Sequence, residues 1–199
     1  IYLASGNVNK LRELQTALTN AGLPIRVSNP DEIGGMPNVE DTGSTFQANA
    51  LLKAEGLRRM GPSEAWYLAD DSGIEIDALG GRPGVISARY AGLECDDEAN
   101  NEKVIKEMSE VSETKRTCRF QCVLALVAKE KEHFFSGTCE GRLLFEGRGK
   151  DGFGYDPLFL PIGCAGTFAE ILPAEKAKIS HRARAMSKLI NWLASGKVL

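Results

Sequence analysis

The sequence predicts an α/β fold with a mixed sheet, and three observations predict it. An apolar run at residues 1–4 leads into a helical pattern with Leu11, Leu14 and Leu18 on one face, and Ile25-Arg26-Val27 then reads as a strand, giving an opening β-α-β unit. Apolar segments at 66–69 and 74–78 flank the run Asp70-Asp71-Ser72-Gly73 and read as further strands. Residues 119–128 and 133–144 read as two strands joined by the charged turn Lys129-Glu130-Lys131-Glu132, which makes that pair antiparallel and the sheet mixed.

The helices follow from periodicity and end signals. Gly22 and Pro24 stop the first, whose entry turn is Ser5-Gly6-Asn7-Val8-Asn9. A Gly-, Pro-, Asp- and Asn-rich loop covers residues 28–43, after which Ser44-x-x-Gln47 resembles a capping box opening a second helix to about Met60, with Phe46, Ala50, Leu51, Ala54 and Leu57 as its buried stripe. Gly80-Gly81-Arg82-Pro83-Gly84 forces a turn, and a polar helix is expected over 97–108. In the last helix Met186, Leu189, Ile190 and Leu193 keep 3.6 spacing, with Ser180 as N-cap and Gly196 near the end.

Bulk properties bound the function. At 199 residues and 43% hydrophobic content the chain can build a sizeable core as one domain, or as two lobes sharing a sheet, with no linker between independent domains. A net charge of −3, from 24 basic and 27 acidic residues, gives no polyelectrolyte character suited to a nucleic-acid polymer. No run approaches the roughly 20 apolar residues of a membrane span. The five cysteines form no CxxC pair, and reduced thiols in a cytoplasmic protein fit them. Cys118 and Cys122 share a strand face with Phe120 and Leu124, which reads as core packing rather than zinc binding.

Five groups of residues could carry chemistry. SGNVNK, at residues 5–10, occupies a strand-to-helix turn whose free N–H groups suit an anion, with Ser5 and Asn7 adding hydrogen bonds and Lys10 a mobile charge; ordinary turn chemistry is the alternative. Asp41 and Lys53 could face one site from a loop and a helix, or be a solvated carboxylate and a solvated helix face. If LADDSGIEID, at 68–77, is extended, its adjacent aspartates point to opposite faces and have different jobs. Asp71 with Ser72-Gly73 then reads either as a hard-metal and base site or as an Asp-Asp-Ser-Gly turn.

DGFGYDP, at 151–157, sets Phe153 and Tyr155 among glycines, where a flat ligand could approach and stack, or where an aromatic could latch the loop into the core. Ser180-His181-Arg182 opens the last helix, where His181 is biased toward neutrality and both side chains could donate to a keto oxygen; Lys176 stands on the approach loop. A capped helix with surface basic groups is the alternative there. His133, followed by Phe134 and Phe135 in the expected strand, reads as structural.

In this order the segments SGNVNK, EDTGSTFQANALLKA, ADDSG, LGGRPGVISARYAG, DGFGYDPLF and EKAKISHR resemble the inosine/xanthosine triphosphate pyrophosphatase family, the Ham1-like enzymes of the bacterial dITP/XTP type, over nearly the whole chain. The resemblance implies an elongated mixed β-sheet with flanking helices, in two lobes around a central cleft, and usually a homodimer. It implies Mg²⁺-dependent hydrolysis of non-canonical purine nucleoside triphosphates such as XTP, ITP and dITP to the monophosphate and pyrophosphate. By motif position, Ser5, Gly6, Asn7, Val8, Asn9, Lys10, Lys53 and Lys176 would meet the triphosphate, and Ser72, beside Asp71, would contact substrate. Asp71 would bind metal and take a proton, and Phe153, Gly154, Tyr155, Asp156, His181 and Arg182 would hold the purine. Asp41 stands where relatives often carry Glu, so its shorter reach implies contact with the metal through water. Rival readings are a Maf-like pyrophosphatase of other base preference, against which the FGYD and SHR segments argue, and a purine-nucleotide sensor without catalysis.

Overall fold

The structure, a computed structural model, describes residues 1–196 apart from the side chain of Asn9. The elements run β1 (Tyr2–Leu3), α1 (Val8–Asn20), α2 (Phe46–Arg58), β2 (Tyr67–Ile76), α3 (Asp97–Glu107), β3 (Thr117–Ala128), β4 (Lys131–Leu143), β5 (Phe159–Pro161), α4 (Pro173–Ile179) and α5 (His181–Ala194), with short 3₁₀ turns between them. The fold is mixed α/β. Its five-stranded sheet has the order β1-β2-β3-β4-β5, with β1 parallel to β2 and β4 antiparallel to β5.

The chain divides into two compact units. The first comprises Ile1–Asp71, Val123–Ser136 and the chain from Arg184 onward; the second comprises Ser72–Cys122 and Gly137–Ala183. In the first unit Ala4, Ala50, Ala54, Leu57, Tyr67, Ala69, Ala125 and Val127 form a buried cluster, so α2 packs through its small and leucine face. In the second unit Ile74, Val104, Met108, Phe120, Tyr155, Phe159 and Phe168 belong to one core, and Cys118 sits within it as a small hydrophobe.

Four expectations change. The strand at 25–27 does not form, and the parallel partner of β1 is β2, through Tyr2↔Tyr67 and Leu3↔Leu68. The Gln15 amide takes the backbone groups a ladder would need: its Nε2 donates to Ile25 O (3.1 Å) and its Oε1 accepts from Val27 N (2.8 Å). Pro24 offers no N–H, and a single bridge, Tyr2↔Ser28, is what remains of the pairing. The N-cap of α2 is Thr45 rather than Ser44, because the Thr45 hydroxyl accepts from Ala48 N (3.1 Å).

Residues 70–73 make no turn, for β2 runs unbroken from Tyr67 to Ile76. Gly73 is there for space: a Cβ at this position would lie 2.4 Å from Ser87 Oγ and 2.5 Å from Gly84 O. The approach loop expected around Lys176 is the helix α4, and Ser180 separates it from α5 while accepting from Ala183 N at 3.2 Å. His133 is structural as expected, its ring 4.2 Å from that of Trp192. Among the described residues no helix is long and apolar enough to cross a membrane.

Candidate active site

In the first unit an extended β2 sends adjacent aspartates to opposite faces, and each finds a lysine on a different helix. Asp70 accepts from Lys10 of α1 at 2.9 and 3.0 Å. Asp71, 8% exposed, accepts from Lys53 of α2 at 2.7 Å through Oδ1 and from Asn49 at 3.3 Å through Oδ2. Lys53 also lies 3.4 Å from Asp41 Oδ1, so one ammonium stands between two carboxylates. The structure thus brings Asp41, Lys53 and Asp71 together, as their sequence reading allowed.

The electrostatics of this group are asymmetric. Burial raises the pKa of the Asp71 carboxyl and the charge of Asp41 adds to that, against the opposing pull of Lys53 and Asn49. An ion pair alone would have drawn Asp71 down; desolvation and like charge reverse it. Burial alone would lower Lys53, but its hydrogen bond to Asp71 and the charges of Asp71, Asp41 and Asp70 carry it upward.

At the N-terminus of α1, Ser5 Oγ accepts from Asn7 N (3.2 Å) and Asn7 Oδ1 accepts from Lys10 N (3.3 Å). The Asn7 side chain so occupies the N3 amide, while Gly6, Asn7 and Val8 remain exposed at the positive end of the helix. Asn9 belongs to α1, but its side chain lies outside the described residues. Ser72 follows Asp71 on β2 and is half-buried.

In the second unit the 151–157 segment separates its aromatics. Tyr155 is buried and donates to Ser87 O at 2.7 Å, and burial pushes its hydroxyl pKa up. Phe153 is 63% exposed, leaving one ring face available for stacking. Asp156, buried, accepts through Oδ2 from Phe153 N (2.9 Å) and from Lys176, whose Nζ also stands 4.7 Å above the Phe153 ring. His181 is buried with its ring stacked 4.8 Å from that of Phe120, and Arg182 follows it half-buried on the first turn of α5.

Sequence reasoning missed the residues that hold these groups. Asp97 accepts from Gly154 N (2.7 Å) and Asn101 donates to Gly154 O (2.9 Å), so α3 grips both backbone groups of one glycine. Asn49 was passed over inside EDTGSTFQANALLKA. A buried Asn in an otherwise apolar helix stripe was the one signal available for it. For Asp97 and Asn101 no local signal exists, since their partner is 57 and 53 residues away. A pocket of about 470 Å³ in this unit is lined by Asp97, Glu98, Glu102 and Asp151 together with Lys150 and Phe153, so its charged side chains are mostly acidic.

Among the described residues no group of three or more His, Cys, Asp or Glu side chains is arranged to hold a metal. Asp41 and Asp71 nonetheless converge on one cation, the Lys53 ammonium. Two hard carboxylate donors fit Mg²⁺, which commonly takes one or two carboxylates and completes its octahedron with water and substrate phosphate oxygens.

A model of the Ham1 family matches residues 1–192. The chain is 46% identical over 198 residues to the dITP/XTP pyrophosphatase of Opitutus terrae, covering 96% of this chain and 97% of that protein. It is 44% identical over 192 residues to the dITP/XTP pyrophosphatase of Bacillus subtilis, covering 96% and 95%. The solved structure of the Staphylococcus aureus Ham1 protein superposes with a TM-score of 0.89 at 35% identity, covering 98% of each chain. With the motifs in order and the fold matched end to end, the chain belongs to the Ham1 family.

Proposed function

We propose that this protein hydrolyses non-canonical purine nucleoside triphosphates, XTP, ITP and dITP, to the monophosphate and pyrophosphate, with Mg²⁺. The observation that carries the reading is Asp71: a buried carboxylate whose two oxygens are both held as hydrogen-bond acceptors and whose pKa is raised by burial. Such a group suits general-base work, since its proton affinity is increased while its orientation is locked. It takes the proton of a water that attacks the α-phosphorus. The α–β bridging P–O bond breaks and pyrophosphate leaves with its electron pair.

Lys53 and Lys10 neutralise charge on the triphosphate, and backbone N–H groups at the start of α1 donate to phosphate oxygens. Asp71 would hold the Mg²⁺ directly and Asp41 through water. When bound, that ion supplies charge neutralisation on the phosphates and lowers the pKa of coordinated water. Lys176, which pairs with Asp156 and lies against Phe153, adds its charge.

Base choice rests on the second unit. The exposed Phe153 ring offers a stacking face, and His181 and Arg182 donate to the 6-keto oxygen of hypoxanthine or xanthine. Adenine presents an amino donor there, which leaves those donors unpaired, and a buried unpaired donor costs about 1–3 kcal/mol. The homodimer implied by the resemblance and the cytoplasmic setting read from the cysteines belong to the same proposal, and light scattering on the purified chain checks the first. The test of function is pyrophosphate release from XTP, ITP, dITP, GTP, ATP and dTTP with and without Mg²⁺. Rapid release from the first three that EDTA abolishes is expected. Preference for dTTP would instead favour a Maf-like enzyme, and binding without release would make the protein a sensor.

A further inference from the structure

Asn49 is a fully buried polar side chain on the face of α2 otherwise filled by Phe46, Ala50, Ala54 and Leu57. Its amide has an orientation that chemistry dictates. The Gly43 N–H can only donate, so the atom 2.7 Å from it is the accepting Oδ1, and the Nδ2 amino group is turned to Asp71 Oδ2 at 3.3 Å. Lys53 is one helical turn further on, at i+4, and makes the parallel connection, to Asp41 on the same loop and to Asp71 on the same strand. Two rungs from one helix therefore link the 41–43 segment to Asp71, one charged and one neutral.

The rungs differ in what they can do during a reaction. An ammonium is a mobile point charge that a polyanionic ligand competes for, whereas a buried carboxamide has nothing to gain from leaving its partners. We propose that Asn49 is the positioning residue that keeps the Asp71 carboxylate aimed, and coupled to the Asp41 loop, when Lys53 turns to the triphosphate. This rests on the reading of Asp71 as the base. Asn49 touches neither phosphate nor purine; it acts through Asp71 alone, so its loss falls on kcat and spares KM.

The test is Asn49→Asp, nearly isosteric, which keeps an acceptor for Gly43 N–H but replaces the donor to Asp71 with a carboxylate oxygen. For ITP hydrolysis kcat is expected to fall about 10- to 100-fold, the usual cost of removing a partner that orients a catalytic carboxylate, with KM within about threefold. Asn49→Ala, which removes both bonds without a second carboxylate, is expected to fall less than Asn49→Asp and is read in its place if that variant does not fold by circular dichroism. A kcat equal to wild type in either folded variant, a change confined to KM, or Asn49→Ala slower than Asn49→Asp would overturn the assignment, the last because it would make the Gly43 anchor the whole role. Asp71→Asn is assayed alongside: turnover at the wild-type rate there removes the base and this inference with it, whereas a slow Asp71→Asn beside unimpaired Asn49 variants rejects Asn49 alone.

Discussion

Each unit buries an aspartate against a lysine, Asp71 with Lys53 in the first and Asp156 with Lys176 in the second, at 8% and 2% exposure. The same two residue types do different work because their supports differ. Asp71 stands on a rigid strand, divides its oxygens between Lys53 and Asn49, and shares its lysine with a second carboxylate, Asp41. Asp156 sits in a glycine-bracketed loop and concentrates Phe153 N and Lys176 on the single atom Oδ2. Burial, with the like charge of Asp41 added, lifts the first carboxyl toward proton acceptance. In the second, the carboxylate is a tether that shapes a loop and holds an exposed ring over an ammonium.

The largest effect expected is on the first pair. Asp71→Asn should retain the fold and lose about 10²- to 10⁴-fold in pyrophosphate release from ITP, the range a general base contributes. Near-normal turnover would erase the distinction between the pairs. The second unit answers to a different assay: Arg182→Ala should shrink the ITP-to-ATP ratio of kcat/KM by about tenfold or more, as expected for a donor to a keto oxygen. An unchanged ratio would place base reading elsewhere.

The tether predicts a stability effect. Gly152 has φ 84°, and a Cβ there would meet Asp156 Oδ2 at 2.2 Å. Gly152→Ala should therefore cost about 1–3 kcal/mol, seen as a lowered denaturation midpoint, because it adds a left-handed backbone penalty and drives the carboxylate off Phe153 N.

A pH profile sharpens the contrast further. Asp71 must be deprotonated to act, and burial raises its folded pKa, so in the metal-free protein its titration should lie above the ordinary aspartate value, and added Mg²⁺ should draw it down. The matching stability term has the opposite sense: a raised folded pKa favours the folded state at low pH, and that contribution is lost as pH rises through it. Asp71→Asn should accordingly be at least as stable as wild type at neutral pH, with the difference vanishing on acidification. The smallest effect belongs to the neighbouring carboxylate: Asp70→Asn keeps its place opposite Lys10 and loses one ion pair, worth about 1.5 kcal/mol or tenfold at most in turnover.

Much of this architecture was legible in order. The apolar period marked α1, α2 and α5, α3 was expected as a polar helix, and the alternation rule divided Asp70 from Asp71 for an extended segment before any partner was visible. Short elements escaped: the three-residue β5 and the seven-residue α4 are too brief to show a period, and they exist because β4 and the second core receive them. Where Ile25-Arg26-Val27 looked like a strand, a glutamine ten residues earlier had already taken its hydrogen bonds. Local pattern carries no account of such substitution.

By itself the sequence determined the class of fold and the motif order that marks the Ham1 family, since both follow from period or local order along the chain, and it set the two adjacent aspartates on opposite faces for an extended segment alone. Only the tertiary structure decided that DDSG is strand rather than turn, that Lys53 bridges Asp41 and Asp71, that Asn49 presents its amino group to the same carboxylate, and that Asp97 and Asn101 grip Gly154. The physical reason is range. Periodicity and capping act within a few residues, whereas a buried carboxylate acquires its pKa and its aim from side chains that folding brings in from 18 to 30 residues away.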